Sequence, residues 1–201
     1  MLRAIFRSVV SAANSIANTG SRTSATVPAK PPAVVRSVSS RQEKLNRMNP
    51  TQKGAVGEIT VIEFLRNAGW RHLHTKSGKN DRGIDAVLEK DGQVLLIESK
   101  LGSSPLAKGQ MSAKWIEDSL ASAAKSKKKK IRTTVEVVSQ AISAGRIQTQ
   151  LWRHRVSDGT ASIQALDENG KPKKDKKPKV VKTGKHLDRA IARVLRNVRS
   201  G

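Results

Sequence analysis

The 201-residue chain contains no cysteine, so neither a disulfide nor a thiolate metal centre belongs to its architecture. It has no tyrosine, and its aromatic residues are Phe6, Phe64, Trp70, Trp115 and Trp152. These are too few for a row of base-stacking platforms, which leaves contacts to phosphate as the expected mode for any nucleic-acid partner. No apolar run approaches the ~18 residues of a membrane span, so no integral membrane segment is expected. Acidic residues are scarce as well: 16 Asp and Glu stand against 39 Lys and Arg, for a net charge of +23. That imbalance favours a polyanionic partner, nucleic acid first and an anionic membrane surface second, over a merely soluble basic protein.

The length suits one domain with appendages, and composition divides it into three spans. Residues 1–48 read as a basic leader with no acid before Glu43, mostly disordered. Leu2, Ile5, Phe6, Val9 and Val10 lie at helical spacing there, ahead of a Pro-rich stretch over 27–34. A mitochondrial presequence, an ordinary disordered leader and a segment that engages a secretion apparatus all have this composition. Residues 49–168 read as the folded domain. Residues 169–201 read as a Lys/Arg-rich tail: from Lys171 onward, twelve basic residues oppose only Asp175 and Asp188, a net charge of +10. Disorder is expected in its first half and a cationic helix over 186–198.

Within the domain, Asn49 caps a helix that has Pro50 at its first position. Ala55, Ile59, Ile62 and Leu65 form its apolar stripe, and Gly69 stops it. A short strand over 71–75 follows. Residues 112–125 read as a helix with Trp115, Ile116, Leu120 and Ala123 inward, ended by the lysine-rich run 125–130. Residues 133–144 fit two patterns: Val135, Val137 and Val138 favour a strand, while the spacing to Ile142 and Gly145 allows a helix. Strands over 146–156 and 161–166 flank a turn at Ser157-Asp158-Gly159.

The strongest local signal is Asp91-Gly92 between two apolar runs, the signature of a two-residue type I′ hairpin. With that turn, Lys90 faces Gln93 and Asp85 faces Glu98. Opposed side chains have Cβ atoms ~4.5–5.5 Å apart, where two like charges repel. Alternation puts Lys100 on the face of Glu98. Val87, Val94 and Leu96 are expected on one face, and Ile84, Leu88, Leu95 and Ile97 on the other, so the strands are covered on both sides. Two acids held together beside an ammonium make chemical sense around a divalent cation, and they point to phosphodiester hydrolysis.

The pattern Gly54-x-x-Gly57-Glu58, Gly83-Ile84-Asp85 and Glu98-Ser99-Lys100 resembles the PD-(D/E)XK nuclease superfamily. The stretch from Val94 through Gln110-Met111-Ser112-x-x-Trp115-Ile116 is similar to the C-terminal nuclease toxins of bacterial contact-dependent inhibition and competition systems. The resemblance covers about residues 50–155. It implies an α/β fold with a restriction-endonuclease-like core, a central mixed sheet flanked by helices, bearing the disordered basic N- and C-terminal extensions. Asp85 and Glu98 would ligate the metal, helped by the backbone carbonyl of Ser99. Lys100 would orient or deprotonate the attacking water, Glu58 would be an outer ligand, and Gln110 matches a polar residue that often follows the Glu-x-Lys strand. The family's proline before the aspartate is replaced here by Ile84. Mg²⁺ is the implied ion, with Mn²⁺ or Zn²⁺ as alternatives. A toxin of this kind also needs an immunity protein, and the +23 charge calls for one with an acidic surface.

The first reading is therefore a metal-dependent DNA endonuclease, secreted and acting in the cytoplasm of a target cell. Lys127, Lys128, Lys129 and Lys130 are the candidate phosphate contacts. The alternatives are a toxin that cleaves tRNA with the same site, a non-catalytic nucleic-acid-binding protein whose hairpin acids are structural, and a housekeeping nuclease of the mitochondrial matrix. His72, His74 and His154 read as half-buried or surface histidines.

Overall fold

The computed structural model describes residues 33–73 and 83–199, with side-chain surroundings over 40–73 and 83–197. The leader residues from Leu2 to Val10, together with His74 and Thr75, lie outside the described residues. The elements in chain order are α1 (Ala33–Asn46), α2 (Pro50–Asn67), β1 (Arg71–Leu73), β2 (Ala86–Lys90), β3 (Gln93–Leu101) and α3 (Ala113–Ala124). They continue with α4 (Lys129–Ser143), β4 (Ile147–Arg155), β5 (Thr160–Ala165), β6 (Lys179–Lys182) and α5 (Gly184–Arg199). The strands form one six-stranded mixed sheet in sequence order. Only β3 and β4 run parallel, joined by the α3–α4 crossover; every other pair is antiparallel.

Local chemistry accounts for several boundaries. At α2, the Asn49 side chain accepts from Gln52 N at 2.9 Å, and Gln52 Oε1 accepts from Asn49 N at 2.8 Å. This capping box satisfies two of the orphan donors at the helix start. The helix ends at Gly69, whose φ of +85° most side chains avoid. The ambiguous segment 133–144 is helical and belongs to α4. Its buried residues Ile131, Thr134, Val138 and Ala141 recur at helical spacing, and packing on the sheet overrides the β-branched preference of its valines.

Two layers cover the sheet. On one face α3 and α4 bury Val87, Val94, Leu96, Ile116, Leu120, Val138 and Leu151. On the other, α2 buries Leu65 and Val61 against Ala86, Leu88, Leu95, Ile97 and Trp152. The expected division of the hairpin's faces holds except at Ile84, which packs with Val87 and Leu96 rather than with Leu88. Ile84 precedes β2 in an irregular segment, so strand alternation does not govern it.

The expectation of disordered extensions needs correction at both ends. Within the span read as leader, 33–46 is helical, and Leu45 and Met48 are buried against α5. At the other end, β6 pairs with β5 in the register Ile163↔Lys179 to Thr160↔Lys182. The terminal helix also starts earlier than expected, at Gly184, and buries Leu187, Ala190, Ile191 and Val194 against α1 and α2. Arg41 joins the two ends, its Nε and Nη2 donating to Asp188 at 2.6 and 2.8 Å. The lysines between 171 and 182 are exposed; Val181 and the amphipathic helix supply the burial that the charge density conceals.

Candidate active site on the central hairpin

The hairpin forms in the register that the Asp-Gly turn dictates. Asp91 and Gly92 have φ of +51° and +73°, both positive as a type I′ turn requires. The pairing runs from Lys90↔Gln93 to Ala86↔Ile97. One step further sets Asp85, just before β2, opposite Glu98. Asp85 Oδ2 accepts from the backbone N–H of Ser99 at 2.9 Å, which fixes one carboxylate at this position.

Glu98 is the electrostatic centre. Its side chain is only 3% exposed, and Oε1 accepts from Lys100 Nζ at 2.7 Å. The Lys100 side chain is 24% exposed. Glu98 Oε2 is buried with no hydrogen-bond partner. Burial and the nearby Asp85 charge push the carboxyl up to about 7, and Lys100 only partly offsets them. A short ion pair thus coexists with a raised pKa, because desolvation and the second acid outweigh one cation. At neutral pH this carboxyl is divided between protonated and ionised forms.

Behind this pocket, on the opposite face of β3, lies a second polar pair. Ser99 Oγ and His154 Nε2 are 3.1 Å apart, both residues buried. Burial lowers the His154 pKa to about 4, so the ring is neutral at pH 7, and its Nδ1 has no partner. Helix α2 crosses here at Gly57: a Cβ on that residue would lie 2.7 Å from Ser99 Oγ. No such limit applies at Gly54, whose Cβ would meet nothing within 4 Å.

Asp85, Glu98, Ser99 and Lys100 are therefore brought together by one hairpin. Glu58 follows Gly57 on α2 and is half-buried where the helix meets β3. Gln110 has a local role: its Oε1 accepts from Ala107 N at 3.0 Å, holding the turn after β3. Lys127, Lys128, Lys129 and Lys130 are exposed at the start of α4, on a different element from the acids. The His154–Ser99 contact was invisible in the sequence, because it depends on the parallel pairing of β3 with β4, where Leu101 aligns with His154.

Among the described residues, no group of three or more His, Cys, Asp and Glu side chains is placed to hold a metal ion. The candidate donors brought together are instead the two carboxylates of Asp85 and Glu98. That set suits a hard cation which keeps several waters, and the orphaned Glu98 Oε2 is the atom such an ion would satisfy. Comparison with family models, curated proteins and solved structures finds no match.

Proposed function

We propose that the chain is a metal-dependent nuclease that hydrolyses phosphodiester bonds in DNA. The observation that carries this reading is the buried, unsatisfied Glu98 Oε2, set against Asp85 and beside Lys100. A buried acceptor without a donor costs about 1–3 kcal/mol, and either a proton shared with Asp85 or a bound cation would offset that cost here. Asp85, Glu98 and the Ser99 carbonyl would hold Mg²⁺, which supplies a polarised phosphoryl oxygen and a more acidic water. Ser99 N–H orients Asp85, and the Glu98 contact holds Lys100 beside the acids. From there its ammonium offsets negative charge that grows on the phosphate. The +23 charge draws in the polyanion without sequence reading.

Within this reading the chain is an antibacterial effector that acts in a target cell's cytoplasm and is neutralised by an acidic immunity protein. The test incubates plasmid and total RNA side by side with the purified protein, with and without chelator, for wild type and Glu98→Gln. Chelator-sensitive plasmid loss that disappears in the variant supports the reading. Preferential loss of tRNA would instead make the chain a toxin ribonuclease with the same site.

One observation favours a second reading. The direct 2.7 Å contact between Lys100 and Glu98 also suits a structural pair in a non-catalytic nucleic-acid-binding protein. That protein would bind DNA tightly and with strong salt dependence, yet give no product with any divalent ion.

A further inference from the structure

A groove of about 880 Å³ lies beside α3, bordered by β4, β5 and the segment leading into β6, and it shares no residue with the acid pocket. We propose that it binds a single-chain anionic amphiphile, an acyl chain ending in an anionic head group. The volume falls within the ~300–1,000 Å³ typical of small-molecule sites, and such sites are mostly apolar with a few placed polar groups. The floor fits that description: Met111, Ile116, Ile147 and Leu166 line it. Ile142, on its wall, is 40% exposed. It is one of two large apolar side chains exposed among the described residues.

Charge gives the groove a direction. Lys173, Lys176, Lys177 and Lys179 line the side of β5 and β6, where Lys173 N donates to Ala165 O and Lys179 pairs with Ile163. Glu117 and Glu168 line the side of α3, where Glu168 O accepts from Ala113 N. Asp167 lies there too, its carboxylate oriented by the backbone N–H groups of Asn169 and Lys171, and adds a third negative charge to that side. An anionic head is therefore attracted to the lysine side and repelled from the other, leaving the chain along the aliphatic floor. The floor is also locked in place. Met111 is fully buried at φ +64°, an outlier for a long side chain, and Gly170 packs so closely on Gln110 and Ser112 that no side chain fits there.

The test uses the full chain and dansylundecanoate, whose fluorescence reports entry into an apolar site. One saturable site is expected, emptied by laurate but not by inorganic phosphate, which lacks the chain. Dodecyltrimethylammonium, with a similar chain and the opposite charge, should compete about tenfold less well or worse, a difference of about 1.4 kcal/mol. Ile142→Glu and the double change Lys176→Glu with Lys177→Glu alter exposed positions and should each weaken binding about tenfold. Lys129→Glu with Lys130→Glu should leave it unchanged. Equal loss in that control would reduce the effect to general polycation attraction and overturn the proposal. Absence of saturable binding would also overturn it, as would displacement by an acidic amphipathic peptide but not by laurate, which would make the groove a protein interface. DNA cleavage is not a readout here, so the result is independent of the nuclease reading.

Discussion

Glu98 and His154 lie on opposite faces of one strand's surroundings, linked through the adjacent residue Ser99, and both are held toward their neutral forms. Their partners differ. Glu98 borders a side chain that reaches solvent, has a second acid opposite, and keeps one buried oxygen unsatisfied. His154 is sealed under α2, has no charged partner shifting it and bonds to a hydroxyl, and its buried Nδ1 likewise lacks a partner. On the proposed reading, desolvation suits one site to a cation and leaves the other a positioning element for the strand. Burial and an unpartnered atom are common to both groups; the second acid and the lysine beside Glu98 are what set it apart.

The sharpest way to break this contrast is to remove the acids. Asp85→Asn and Glu98→Gln should each lower Mg²⁺-dependent plasmid cleavage by about 100-fold or more, as loss of charge at a transition-state site does. His154→Gln, which keeps a partner for Ser99, should retain most activity. Equal losses in all three would dissolve the distinction.

Stability against pH separates the two groups next, and the signs oppose. The Glu98 carboxyl is raised from 4.5 to about 7, so the folded state holds more protons than the unfolded between those values. Its contribution falls by roughly 3 kcal/mol as pH rises through that window. His154 is lowered from 6.5 to about 4, so the unfolded state takes up the proton there and stability rises by roughly 3 kcal/mol from pH 4 to 6.5. The wild type should accordingly show a shallow profile over pH 4.5–6.5. Urea titrations across that range should reveal a rising profile in Glu98→Gln and a falling one in His154→Gln.

Gly57→Ala comes next in size. The added methyl displaces Ser99 Oγ from its hydrogen bond or pushes α2 off the strand, costing about 1–3 kcal/mol in thermal unfolding. Gly54→Ala, in open space, should be neutral or slightly stabilising. The smallest effect is expected for Arg41→Ala. It removes a two-pronged contact to a half-exposed Asp188 and should cost about 1 kcal/mol, read as earlier loss of α1 protection in hydrogen exchange.

What the sequence disclosed and what it hid follow from the range of the forces involved. The Asp-Gly turn, the Asn49 cap and the acid pair depend on neighbours within one hairpin or one helical turn, and they appear where the pattern placed them. His154 meeting Ser99 depends on strands joined only through the α3–α4 crossover, a registration no local pattern specifies. The span 169–201 was hidden differently. Its lysines have the composition of a solvated tail, yet they occupy exposed positions while Leu187, Ala190, Ile191 and Val194 repeat at helical spacing beneath them. Ile84 shows the limit of alternation, which applies only once the chain has entered the strand.

Those lysines have one more consequence, at the border of the sheet. β6 is an edge strand of four residues with Lys179 and Lys182 at its ends and an outward Val180 between them. Unpaired strand borders invite another chain to stack alongside, and brevity with flanking like charges discourages it. The lysines at its ends thus act as a guard against self-association, keeping neighbouring copies of the protein from zipping together along this open rim.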